Sequence, residues 1–350
     1  MTENGRPRDR AAEYHPPTDR PRSREPAVEV AEGLGNRERS AGLFEPLLGR
    51  GTVFEDKDLL RPSHTPDLLP HRERQITELA EHLGATLRGD TPSSVQIYGK
   101  TGTGKTVCVR YVAGELLRAA GGAGVPCHIE YVNGEVTDTE YRVLARLTNR
   151  VAAASGTAED DRPVPPSGWP TGQVYRAFVR AVDRQERSVV VVLDEVDRLV
   201  RKGAGDALYK LLRVNAELER SRVSVVGISN DLTFTESLDP RVRSSLGDVE
   251  VVFPPYDANQ LRDVLRVRAS TAFRDGSVAE GVIPLCAAFA AREHGDARRA
   301  LDTLRTAGEV ADAAGAERVE ERHVRRARER TDVDRAGEAS DARDPSTDRT

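Results

Sequence analysis

Eight consecutive residues constrain this chain more than any other feature. Gly99-Lys100-Thr101-Gly102-Thr103-Gly104-Lys105-Thr106 satisfies G-x-x-x-x-G-K-[ST] in full. An apolar run, VQIY, precedes it and a helical pattern, VCVRYVAGELL, follows it. A strand, a Gly-rich turn and a helix in that order make a cradle for phosphate. The glycines let backbone N–H groups converge, and the helix N-terminus adds the positive end of its dipole. In such a cradle Lys105 reaches the β- and γ-phosphates and Thr106 offers its hydroxyl to Mg²⁺. Gly99, Thr101, Gly102, Thr103, Gly104, Lys105 and Thr106 are therefore candidate binding residues for ATP or ADP with Mg²⁺.

Hydrophobic periodicity around this motif alternates between strand and helix. Strands are predicted over 95–98, 127–132, 189–193, 223–228 and 249–253. Helices are predicted over 72–87, 107–120, 139–154, 174–185 and 207–219, with a Pro/Gly loop at 155–170. Strands that are apolar throughout and alternate with helices imply a parallel sheet covered on both faces, an αβα sandwich. From Asp257 onward the pattern is helical to about residue 330, which implies a second, smaller α domain. The expected organisation is an arm over 1–50, a nucleotide-binding base over 51–255, a helical lid over 256–330 and a tail over 331–350. The arm is charge-mixed and Pro-rich, and the tail is rich in Asp, Arg, Ser and Thr, so both are expected to be disordered.

Two more strands end in polar side chains. Val189 to Leu193 runs into Asp194-Glu195 at the edge where parallel sheets bind ligands. Asp194 would hold Mg²⁺, and Glu195 would polarise the attacking water as a general base. A carboxylate pair of this kind favours hydrolysis over storage of the nucleotide. Val225 to Ile228 runs into Ser229-Asn230-Asp231, and Asn230 could bond the γ-phosphate or the lytic water. Ser-Asn-Asp is also ordinary turn chemistry.

Taken in order, these passages resemble an AAA+ P-loop NTPase, and more narrowly the archaeal origin-recognition and Cdc-six-type replication initiators. The strings that carry the resemblance include LLPHRERQITELAEHL (68–83), IYGKTGTGKT (97–106), VVVVLDEVDRLV (189–200), VGISNDLTFTESLDPRVRSSL (226–246), VFPPYDANQLRDVLRVRA (252–269) and GDARRALDTLRTAGEVA (295–311). The resemblance covers about residues 54–330. It implies a five-stranded parallel αβα sandwich followed by a small all-α lid, and slow ATP hydrolysis acting as a switch. It makes Asn230 the first sensor. It implies that Tyr256 and Arg268 contact the nucleotide, although Tyr256 also suits interdomain packing. Arg298 matches the lid arginine that reaches the phosphates, with Arg299 as the alternative. Arg241 is the preferred arginine finger and Arg243 the other choice; relatives with S-R-L at this point differ from Ser245-Leu246 here.

The resemblance also implies partners: double-stranded DNA, and a replicative helicase or other initiator subunits. Initiators of this type carry an extra helical element that touches DNA, here within 133–174. Arg142, Arg146, Asn149 and Arg150 could reach phosphate from it, or could form a solvated face. Two departures stand out. His64-Thr65-Pro66 replaces the aromatic that relatives place near the adenine, and no winged-helix domain follows the helix over 320–330, so weaker and less selective DNA binding is expected.

Composition narrows the remaining choices. No run approaches 18 apolar residues, so no transmembrane helix and no membrane partner is expected. The Arg- and Pro-rich N-terminus lacks an apolar signal core, which points to the cytoplasm. A net charge of −5 announces no global affinity for nucleic acid. Cys108, Cys127 and Cys286 are too scattered for a disulfide framework and read as core thiols. The competing reading is a regulator of the same lineage that works through protein contacts without specific DNA recognition.

Overall fold

The computed structural model describes residues 53–137, 139–155, 162–247 and 249–330. The arm over 1–50 and the tail over 331–350 lie outside the described residues. Five parallel strands, β1 (Val95–Tyr98), β2 (Cys127–Asn133), β3 (Ser188–Asp194), β4 (Arg222–Ser229) and β5 (Glu250–Val252), form one sheet in the order β2-β3-β4-β1-β5. The apolar run of β3 is explained by its central place. Val189, Val191 and Leu193 face one core and Val190 and Val192 face the other, all buried.

Helices cover both faces. α1 (Glu73–Leu83) and α2 (Lys105–Ala123) pack on one side through Leu79, Leu83, Cys108, Val109, Val112 and Leu116. On the other side lie α3 (Glu140–Ala154), α4 (Thr171–Asp183), the short α5 (Val196–Leu199) and α6 (Gly205–Arg213), built around Leu144, Leu147, Phe178 and Leu208. α7 (Pro240–Arg243) is a single turn capped by Asp239. Several helix ends differ from expectation. α2 begins at Lys105 because Gly104, in a left-handed conformation, is its N-cap. α6 stops at Arg213 rather than 219 because the Asn215 side chain bonds both the N–H and the carbonyl of Val223, which turns the chain into β4.

The lid consists of α8 (Ala258–Ala272), α9 (Val282–Arg292), α10 (Ala297–Ala313) and α11 (321–330). Asp257 and Gln260 form a capping box at the start of α8. The lid core also takes in Val53, Phe54 and Leu60, from the start of the expected base, and Phe54 stacks on Phe273 with centroids 4.6 Å apart. Packing therefore joins 53–60 to the lid core, although the sequence reading places them within the base. Cys108 and Cys286 are buried and Cys127 half-buried; burial pushes all three thiols up, to about 12, 12 and 11. No helix among the described residues is long and apolar enough to cross a membrane.

Candidate nucleotide-binding site

Strand register gathers the polar strand ends at one edge of the sheet. Tyr98 lies beside Ser229, and Asn133 beside Asp194, so the loop after β1, the carboxylates after β3 and Asn230 after β4 converge. The lid closes over this edge and leaves a cleft of about 570 Å³. It is lined by residues 101–107 of the Gly-rich loop, by Asp194, Glu195 and Asn230, and by Arg268 and Arg298 from the lid.

The loop's carbonyls can be accounted for almost one by one. Lys105 Nζ donates to the carbonyls of Gly99 (2.7 Å) and Lys100 (2.8 Å) and to Asn230 Oδ1 (2.9 Å). Arg72 Nε donates to Thr103 O at 2.9 Å, Cys108 N–H to Gly104 O at 3.0 Å and Ala297 N–H to Gly102 O at 3.0 Å. With its carbonyls turned outward and satisfied, the loop is free to aim its N–H groups at the cleft. Gly102 (φ 74°) and Gly104 (φ 89°) are left-handed, and side chains there would meet the Asp296 carboxylate and the Tyr256 hydroxyl. Such a cradle suits an anion that makes a close backbone approach.

On the opposite wall, Thr106 Oγ1 donates to Asp194 Oδ2 at 3.0 Å, so two oxygens suited to a hard cation stand side by side. Glu195 sits at φ 55°, an uncommon conformation for a non-glycine residue, which turns its carboxylate toward the cleft. Burial raises its pKa; Arg198, whose Nε lies 3.2 Å from Glu195 Oε2, opposes this, while Glu135, Asp194 and Asp197 add to it. Asn230 is held by a buried hub. Asp197 accepts from Ser229 Oγ at 3.0 Å and from Asn230 N–H at 3.4 Å, and pairs with Arg201. Burial lowers the Lys105 pKa to about 8, against the attraction of Asp194 and helped by Arg298.

Not every expected residue stands in the cleft in the expected way. Arg298 lines it, whereas Arg299 is tied to Glu293 at 2.7 Å. Arg268 reaches the cleft wall, but its guanidinium is engaged by the carbonyls of Leu59, Arg61 and His64. Tyr256 is buried beside the cleft in a recess of about 60 Å³ with Pro66, Leu69, Val107 and Leu301, under the Arg72 guanidinium 3.7 Å away. Arg241 does not line the cleft; it is exposed and paired with Asp239 at 3.1 Å. Asn149 also departs from the expected set. Its side chain bonds the Val164 N–H and carbonyl, so it pins a loop instead of facing outward. Arg142, Arg146 and Arg150 do share an exposed face of α3.

Sequence reading missed Arg72, Arg198 and Glu135. Arg198 follows Glu195 at i+3, the spacing of facing residues on a helix, and could have been found that way. Arg72 offered only an odd position, a cation at the positive end of a helix.

A family profile described as an AAA ATPase domain matches residues 68–226, and one described as a Cdc6 AAA+ ATPase-type lid domain matches 262–329. The chain is similar to ORC1-type DNA replication protein 4 of Haloarcula marismortui, 50% identical over 86% of this chain and 66% of that protein. It is 52% identical to ORC1-type DNA replication protein 1 of Methanosarcina mazei, over 85% of this chain and 69% of the relative. Among solved structures, the Aeropyrum pernix ORC1 protein in complex with DNA superposes with a TM-score of 0.75 at 46% identity, covering 83% of this chain and 73% of that one. The chain thus spans about two thirds of the length of these curated relatives.

Proposed function

The chain belongs to the ORC1-type DNA replication proteins, an AAA+ family, and we propose that it is an ATP-driven switch in replication initiation. One observation carries this reading: a phosphate cradle, two adjacent carboxylates, a sensor amide and a lid arginine all line one cleft. ATP is the substrate. Its phosphates would lie against the N–H groups of the loop and take over the Lys105 ammonium from the carbonyls it now bonds. Thr106 and Asp194 would hold Mg²⁺, which supplies charge neutralisation at the phosphates. The recess around Pro66, Leu69, Val107, Tyr256 and Leu301 is apolar, and from its present volume of about 60 Å³ it would have to open further to take the base.

Hydrolysis in this reading needs few groups. Glu195 accepts a proton from the attacking water, and Asn230 orients that water or the γ-phosphate. Arg298 contacts phosphate from the lid, so the lid's position reports which nucleotide is present. Arg241 faces solvent, which suits a finger completing the site of a neighbouring subunit. The Aeropyrum pernix relative is in complex with DNA; for this chain the DNA is double-stranded in our reading, reached through the arginine face of α3. A replicative helicase or other initiator subunits would read the lid's state.

Two variants test the proposal. Lys105→Ala removes the charge aimed at the phosphates and should abolish ATP binding in calorimetry. Glu195→Gln keeps the shape but not the base; it should bind ATP like the parent and lose about 10²–10⁴ in turnover. Unchanged affinity in the first, or unchanged turnover in the second, would overturn the respective assignment.

A further inference from the structure

The phosphate loop is hydrogen-bonded to the lid through its own backbone. The donor is the Ala297 N–H, at the first residue of α10, and the acceptor is the Gly102 carbonyl, 3.0 Å away. The segment that delivers Ala297 is tightly fixed. His294 (φ 73°) and Gly295 (φ 70°) are successive left-handed residues that reverse the chain before α10. Gly295 lies so close to the segment entering the lid that a side chain there would overlap the Tyr256 backbone, and Tyr256 N–H donates to the Gly295 carbonyl at 3.4 Å. Asp296, buried, caps α10 by accepting from the N–H groups of Arg298 (2.9 Å) and Arg299 (3.2 Å). Its carboxylate also rests on the face of Gly102 that a Cβ would occupy. The phosphate motif leaves position 102 unrestricted, so contact with the lid and the positive φ together account for a glycine there.

We propose that the Ala297–Gly102 hydrogen bond is a positioning contact of the nucleotide site, a latch that holds the loop and the lid as one preformed unit. The inference rests on the cleft being the ATP site proposed above. It assigns the lid two independent connections to that site. Arg298 reaches for phosphate and so distinguishes ATP from ADP. The latch acts on the cradle itself and serves both nucleotides equally. A preformed cradle binds more tightly because less of the binding energy is spent on ordering it.

Ala297→Pro isolates the latch in the full chain. Proline suits the first residue of a helix, where its fixed φ is already helical. Asp296 before it is extended (φ −85°, ψ 106°), as a residue preceding proline should be. The substitution therefore deletes the donor and keeps the helix. Calorimetry should show the Kd for ATP and for ADP rising together, by about two- to tenfold. Their ratio should stay as in the parent. Amide exchange measured without nucleotide should quicken in residues 99–106 and 295–300. Arg298→Ala, by contrast, should weaken ATP more than ADP.

Kd values within twofold of the parent for a folded Ala297→Pro protein, or a loss confined to ATP, would overturn the latch. If Ala297→Pro fails to fold, lactic acid incorporated at position 297 removes the same N–H as an ester without adding a ring, and the same criteria apply. Lys105→Ala separates the two readings. If it still binds ATP, the site itself is wrongly assigned. If it loses ATP while the latch variant matches the parent, only the latch fails.

Discussion

Lys105 shows how burial sets chemistry at a single residue. Its side chain is 5% exposed, its ammonium rests on two carbonyls and Asn230, and its pKa falls to about 8. In the free protein this group should therefore lose its charge in the range around pH 8. Phosphate oxygens beside Nζ favour the charged form, so bound ATP raises the pKa again. Binding at pH 8 should take up protons, and affinity should decline as pH rises past 8. Calorimetry in buffers of different ionisation enthalpy checks this: the apparent enthalpy should vary with the buffer, and no variation would refute the assignment. Residues of this kind were legible in the sequence because loop, lysine and threonine lie within one octapeptide. Asp197 was not, since its role depends on which side chains the turn after β3 brings together.

Elements were legible where periodicity was strong and obscure where distant backbone decided the outcome. β1, β3 and β4 were visible as apolar runs because they are buried along nearly their whole length, whereas β2 is mostly half-buried and β5 exposes Glu250 and Val252. The start of α1 was not understood. Arg72 is 1% exposed and donates to Thr103 O (2.9 Å), Pro254 O (2.7 Å) and His71 O (3.0 Å), with the Tyr256 ring beneath it. Two of those carbonyls lie 31 and 182 residues away, beyond any local pattern. Burial lowers the guanidinium's pKa, yet the group keeps its charge because its ordinary value is so high. Arg72 thus joins the phosphate loop to the chain entering the lid. Arg72→Ala should leave buried carbonyls unpaired at about 1–3 kcal/mol each. A total near 3 kcal/mol lowers Tm by up to roughly 6–12 °C, the scale for chains of 150–250 residues, and by less in a longer chain. Arg72→Lys should recover only part of the loss, since one ammonium cannot span the fork of three carbonyls. A melting curve for Arg72→Ala that overlays the parent's would contradict the clamp.

At the scale of the whole molecule, net charge opposes the DNA binding proposed for this chain, and local geometry would have to overcome it. The net charge is −5, so the far field repels phosphate. α3 offers the countervailing feature: Arg142, Arg146 and Arg150 recur at i, i+4 and i+8 on its exposed face, while Val143, Leu144 and Leu147 anchor the opposite face in the core. A rigid helix spaces the three Cα atoms by about 6 Å along its axis, since four residues rise about 1.5 Å each. Each phosphate neutralised on duplex DNA contributes about −0.9 to the slope of log K against log salt. With three to five such contacts the parent's slope should be about −2.7 to −4.5. Replacing all three arginines by alanine should flatten it by up to about 2.7, and should weaken binding to origin-like and scrambled duplexes alike. Fluorescence anisotropy across a salt series measures both quantities. An unchanged slope would place the DNA contacts elsewhere on the molecule. Absence of binding by the parent even at low salt would favour a regulator that works through protein contacts.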